Sequence, residues 1–180
     1  MADLVTKLTG EHFRRQYLLY IVEISHGRSR YFYVGQTGDT RVITARPVFR
    51  RLAAHLEDRK STQNQVYQYV AHDILKFPED EGKKTAFTEG ARQAVEEYLV
   101  KSNIKMYAYH LERFRPTFTP EEHKKRRRKT QKMENQVIAV FRKNGRELIN
   151  KKSTPAASYA DCPYPEVMKK VAMDFNLTIG

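Results

Sequence analysis

Apolar and aromatic positions near the amino end fall in two short runs rather than at helical spacing. Tyr17 to Ile24 (Tyr-Leu-Leu-Tyr-Ile-Val-Glu-Ile) is rich in aromatic and branched residues. Tyr31 to Gly35 (Tyr-Phe-Tyr-Val-Gly) repeats that composition after the polar, glycine-bearing link Ser25 to Arg30. The pair predicts a β-hairpin. A polar, charged loop follows from Gln36 to Arg46, and Pro47 stands where a helix can begin. Phe49, Leu52, Ala53 and Leu56 then recur at helical spacing as a candidate buried stripe. Val66, Tyr69, Val70, Asp73 and Ile74 predict a second helix over 61–76, ended by Pro78. Residues 79–84 read as a charged turn, and Ala91, Ala94, Val95 and Leu99 as the inner face of a third helix over 85–101. Ile104, Met106, Ala108 and Leu111 alternate with Lys105, Tyr107, Tyr109 and Glu112, the period of a third strand. Thr119-Pro120-Glu121-Glu122 is a strong helix start, combining a hydroxyl cap, a first-turn proline and acids at the positive end of the dipole. The helix it opens should reach Phe141 or beyond, with Met133, Val137, Val140 and Phe141 as its seam. After Gly145 the pattern is irregular to Pro165, and a short amphipathic helix covers 166–175. The expected class is α+β: a small three-stranded antiparallel sheet containing a hairpin, flanked by helices.

The chain has 180 residues, 40% hydrophobic and 30% charged, which suits a single folded domain with its own core. The expected division is a core over about 17–151 and an extension over 152–180. A lone cysteine, Cys162, excludes an internal disulfide framework and a cysteine-based zinc site, and fits a reducing cytoplasm. The first ten residues lack the apolar run of a signal peptide, and Tyr17 to Val22 is too short to span a bilayer, so no membrane association is expected. Charge changes the picture more. Lys plus Arg number 33 against 21 Asp plus Glu, a formal +12, and such a field draws polyanions. Nucleic acid is the leading partner class.

Candidate chemistry begins in the hairpin. Leu18-Leu19-Tyr20 and Tyr33-Val34-Gly35 resemble the paired signatures of the GIY-YIG nuclease family, with Leu18 in place of the first glycine and Gln36-Thr37 as the polar pair after the second signature. Arg51 and His55 are four residues apart and so share a helix face, the interval at which that family carries an arginine and a histidine or tyrosine. Met133-Glu134-Asn135 resembles the family's metal-binding glutamate and its neighbours on a late helix, and Asn150 occupies the place of a late asparagine. The order of these elements is similar to the family's from about Leu18 to Asn150, and the small size is similar to its restriction-type endonucleases. Without the resemblance, two hairpin tyrosines simply fill a core, His55 is a surface histidine, Glu134 is an ion-pair partner for nearby cations, and Asn150 is a turn residue.

The resemblance implies a divalent-metal-dependent endonuclease acting on double-stranded DNA, of restriction or defence type. Repair and mobile-element cleavage are other uses of the same family, and a non-catalytic nucleic-acid-binding protein is the rival class. It further implies roles for six residues. Glu134 would hold one Mg²⁺ or Mn²⁺, since a hard cation takes oxygen ligands and keeps much of its water. Arg51 would grip the scissile phosphate with its fork of donors. Tyr20 is the candidate base, yet full deprotonation of an ordinary phenol, pKa about 10, costs roughly 4 kcal/mol at pH 7. Neighbouring cations are expected to lower that barrier, with His55 taking the proton onward. Tyr33 would position water or phosphate, and Asn150 would complete the set. One active site per chain leaves a homodimer or sequential nicking as the routes to a double-strand cut.

Glu121 to Lys152 holds 12 of the basic residues and 4 of the acids. Its centre, Lys124-Lys125-Arg126-Arg127-Arg128-Lys129, leads into Glu134. Arg127, Thr130 and Gln131 are expected to share that acid's face as a phosphate-gripping surface. Such contacts carry affinity but no sequence information. The loop from Gln36 to Arg46 and the segment from Lys151 and Lys152 to Tyr164 are the candidates for reading bases.

Overall fold

The computed structural model describes residues 9–59, 64–79, 86–151 and 161–179. After a 3-10 turn at Gly10–Phe13, strands β1 (Gln16–His26) and β2 (Ser29–Gln36) form the expected hairpin. The strands run further than the polar link suggests, with His26 opposite Ser29 and only Gly27 and Arg28 left to turn. Gly27, at φ +57, takes the left-handed conformation that so tight a turn requires. There follow α1 (Val48–Leu56), α2 (Gln65–Gln68), α3 (Glu89–Val100), β3 (Asn103–Arg113), α4 (Pro120–Lys143), β4 (Glu147–Leu148) and α5 (Pro165–Phe175). Among the described residues no helix is long and apolar enough to cross a membrane.

The class is α+β, but the sheet has four strands in the order β3-β1-β2-β4 rather than three. β1 pairs antiparallel with β2 and β3, whereas β4 lies parallel to β2. The fourth strand follows from the way α4 ends. Gly145, at φ +68, closes a Schellman motif in which Arg146 N donates to Phe141 O and Gly145 N to Arg142 O, both at 3.0 Å. That reversal lays Glu147 and Leu148 beside Tyr31 and Phe32. A two-residue strand has no periodicity to read, which is why the segment looks irregular in sequence.

Alternation along β1 divides its side chains between two cores. Tyr17, Leu19 and Ile21 join Phe32 and Val34 against Met133, Val137 and Phe141 of α4 and Met168, Val171 and Phe175 of α5. On the opposite face Leu18, Tyr20, Val22 and Ile24 meet Val48, Val66 and Ile149. The sheet is thus covered on both sides, and each fully enclosed large apolar side chain contributes about 1.5–3 kcal/mol. Helix α5, within the 152–180 extension, is part of the first core. At the edge strand β3 the second face is open: Ala108, expected inward, is exposed, and Tyr109, expected outward, is buried in the first core. With apolar or aromatic residues on both faces of the strand, alternation alone does not say which side is inside.

Two helices differ from expectation. In α1 the buried positions are Val48 and His55, while Phe49 and Ala53 are exposed and Leu52 and Leu56 half-buried. The helix is rotated about its axis, and Phe49 packs instead on Phe13 of the 3-10 turn, ring centroids 5.7 Å apart. The second predicted helix is only one α-helical turn before a π-helical stretch over Tyr69–Ile74. Tyr67 of the α-helical turn packs against Phe87, and Tyr69 at the start of the π-helical stretch against Tyr31, so the segment serves two cores at once. Helix α3 starts at Glu89 because the Thr88 hydroxyl caps it, accepting from Ala91 N at 3.3 Å. Residues 60–63 and 80–85, parts of the predicted second helix, charged turn and third helix, lie outside the described residues.

Candidate active site

In the hairpin register Tyr20 sits opposite Gly35, and Val22 opposite Tyr33. Tyr20 and Tyr33 therefore project from the same face as diagonal neighbours, ring centroids 6.1 Å apart. Gly35 is what lets the Tyr20 ring lie down across β2, since a Cβ there would run into the ring carbons and hydroxyl. Helix α1 covers this face with His55, which is 3% exposed. Its Nε2 shares a 2.8 Å hydrogen bond with the Tyr20 hydroxyl, and its ring lies 4.4 Å from that of Tyr33. Arg51, one turn earlier, points into the same space, and α4 supplies Gln131 and Glu134 from the far side. The result is a cleft of about 160 Å³ lined by these six residues and Gln36.

Five of the six candidate catalytic residues, spread from Tyr20 to Glu134 in sequence, thus meet at one point. Asn150 does not line the cleft. Its amide clamps the main chain of β2, accepting from Val34 N and donating to Val34 O, both at 2.8 Å. It braces the strand segment between Tyr33 and Gly35 from behind.

Burial governs the electrostatics. It pushes the Glu134 carboxyl up to about 7, although Gln131 and Arg51 pull it down. Gln131 Nε2 donates to Glu134 Oε2 at 2.6 Å and to Asn135 Oδ1 at 3.2 Å. Glu134 forms no ion pair among the described residues, unlike the surface reading of it. Arg51 Nε is buried and has no hydrogen-bond partner among them. An under-compensated carboxylate beside an under-used guanidinium fits a cation on one side and an anion on the other. Among the described residues no group of three or more His, Cys, Asp or Glu gathers at one point, and Glu134 is the one carboxylate lining this cleft.

Tyr20 departs from expectation. Burial first, then the neighbouring Tyr33, hold its hydroxyl well above the usual phenol range, and Arg51 only partly offsets them. Tyr33 is raised by burial as well. The expected lowering by neighbouring cations is thus outweighed by burial, and the hydroxyl's hydrogen-bond partner is His55 Nε2.

The loop after β2 is built on Asp39. Its Oδ1 accepts from Arg41 N at 2.9 Å and Val42 N at 3.4 Å, and its Oδ2 accepts from Arg46 Nε at 2.8 Å. His123 joins loop, hairpin and α4, bonding Asp39 O at 2.9 Å and the Tyr17 hydroxyl at 2.6 Å. These supports were not legible beforehand, because their partners lie on three separate elements. A second cleft of about 300 Å³ opens against this loop and shares Gln36 and Arg51 with the first.

The candidate DNA-binding residues separate into groups. Gln36 lines both clefts and holds the Gly38 main chain, donating to Gly38 O at 3.1 Å. Arg46 is paired with Asp39, and Lys151 with Asp73 at 3.2 Å and Glu79 at 3.4 Å. Lys124, Lys125 and Arg128 are exposed on α4. Arg127 is half-buried, its stem against Gly38. Gln131 faces Glu134, whereas Thr130 is buried and donates to Arg126 O at 2.9 Å. Arg126 and Lys129 are held at Glu112, at 3.1 and 3.9 Å. Lys152, with most of the segment to Tyr164, lies outside the described residues.

No family model, curated protein or solved structure matches the chain.

Proposed function

We propose that the chain is a divalent-metal-dependent endonuclease of GIY-YIG type that hydrolyses phosphodiester bonds in double-stranded DNA, in a restriction or defence setting. The observation that carries the reading is the shared cleft of Tyr20, Tyr33, Arg51, His55 and Glu134. Phosphodiester hydrolysis needs an acceptor for the proton of an attacking water, compensation for charge on the phosphoryl oxygens, and help for the leaving alkoxide. Mg²⁺ or Mn²⁺ at Glu134 would supply Lewis-acid stabilisation of the phosphate and of the leaving alkoxide, which takes its proton from solvent water.

The chain's own residues do the rest. Arg51 donates to the non-bridging oxygens as their charge grows. As the water oxygen bonds to phosphorus and the P–O bond to the leaving group breaks, the water's proton passes to the Tyr20 oxygen. The Tyr20 proton passes at the same time to His55 Nε2, 2.8 Å away. A relay of this kind never forms the phenolate that burial disfavours. Tyr33, raised in the same way, stays a hydroxyl that orients water or phosphate. One cleft per chain means that cutting both strands takes two chains or two visits.

The test is supercoiled plasmid in Mg²⁺. Wild type is expected to relax or linearise it, and Glu134→Ala to bind it with similar affinity without cutting. Binding without cutting by wild type under Mg²⁺ and Mn²⁺ would favour a non-catalytic DNA-binding protein.

A further inference from the structure

The second cleft is not needed to hold the scissile phosphate, yet its lining is chosen for an anion. Asp39 is its only acid, and both oxygens of that carboxylate are already engaged, one on the loop main chain and one on Arg46. What remains to line the space is Arg41, Arg51 and Thr40, while the Gln36 amide is held on the Gly38 main chain. Arg41 is exposed and has no ion-pair partner among the described residues. The Asp39 bonds fix the main chain that carries it, so its guanidinium is offered from a braced turn. Arg51 lies at the junction of the two clefts, and Arg127 on the basic face of α4 rests against Gly38 at the floor of the loop.

We infer that the loop cleft is a second phosphodiester site, taking the backbone phosphate next to the scissile one in the same strand, with Arg41 as its dedicated cation and Arg51 shared. The inference rests on the nuclease reading for the word scissile, and otherwise on the continuity of two basic clefts. A strand lying with one phosphate between Arg51 and Glu134 leaves the first cleft past Gln36 and enters the second. Contacts of this type position the substrate and carry no sequence information, so Arg41 serves every sequence alike.

Binding of a DNA duplex, measured without divalent metal over a series of KCl concentrations, tests it without cleavage. Arg41→Gln should weaken binding roughly tenfold near 0.1 M KCl and reduce the salt slope by about one, as loss of one phosphate contact does. Arg28→Gln, at the exposed hairpin turn, is the control and should leave both unchanged. In plasmid cleavage Arg41→Gln should raise KM while leaving kcat within about twofold. An Arg41→Gln slope equal to that of wild type would overturn the second site, as would an effect confined to particular sequences, which would make Arg41 a base reader. Failure of the nuclease reading would look different: the slope change would persist in a protein that cuts nothing.

Discussion

Glu134 shows most clearly how one residue's surroundings set its chemistry. A carboxyl raised to about 7 by burial is a poor ion in the metal-free fold and a ready ligand once a cation arrives. The sign can be worked through. The group's pKa is near 4.3 in an unfolded chain, so below that value both states are protonated and there is no penalty. As pH rises to about 7 the unfolded chain ionises first, and the metal-free fold loses stability, on the order of 2 kcal/mol after allowing for partial exposure. In urea unfolding without metal, Glu134→Gln should therefore match wild type near pH 4 and exceed it at pH 8. A difference that does not change with pH would contradict the assignment. Arg51 is the complementary case. Its fork has a geometric task, so Arg51→Lys should keep plasmid binding within a few fold and lower kcat about a hundredfold, on the scale of a lost transition-state donor.

At the scale of elements, the hairpin, the start of α4 and the Arg51–His55 interval were legible because their signals are local. A cap with its proline, a glycine in a tight turn and a four-residue spacing each need only a few neighbouring positions. The rotation of α1 was not legible. Phe49 reads as core, and only the 3-10 turn at Gly10–Phe13 gives it another partner, which leaves the inner face to His55. Asn150 is similar, since its clamp on Val34 depends on the Schellman turn that brings β4 alongside β2. Gly35 links element and site, because its missing side chain makes room for the Tyr20 ring. Gly35→Ala should leave circular dichroism and expression close to wild type while displacing that ring, with plasmid cleavage reduced at least tenfold. Unchanged cleavage would mean that the Tyr20–His55 contact is dispensable.

Across the whole molecule, the sheet is an anvil covered on both faces, and the cleft forms where α1 from one side and α4 from the other converge on the hairpin. No window of sequence reports that convergence, since Glu134 and Tyr20 are brought together by two cores packing on a single strand. The exposed cations Lys124, Lys125 and Arg128 spread around α4, whereas Arg127, half-buried against Gly38, and Gln131 lie on the face that carries Glu134. Everything in the catalytic reading depends on a divalent ion at the Glu134 carboxylate, beside Arg51. Electron paramagnetic resonance of Mn²⁺ titrated into the protein at pH 7.5 measures this directly. One bound Mn²⁺ per chain is expected, lost in Glu134→Gln and retained in Asn150→Ala. Absence of bound Mn²⁺ in wild type, or equal binding by Glu134→Gln, would contradict it.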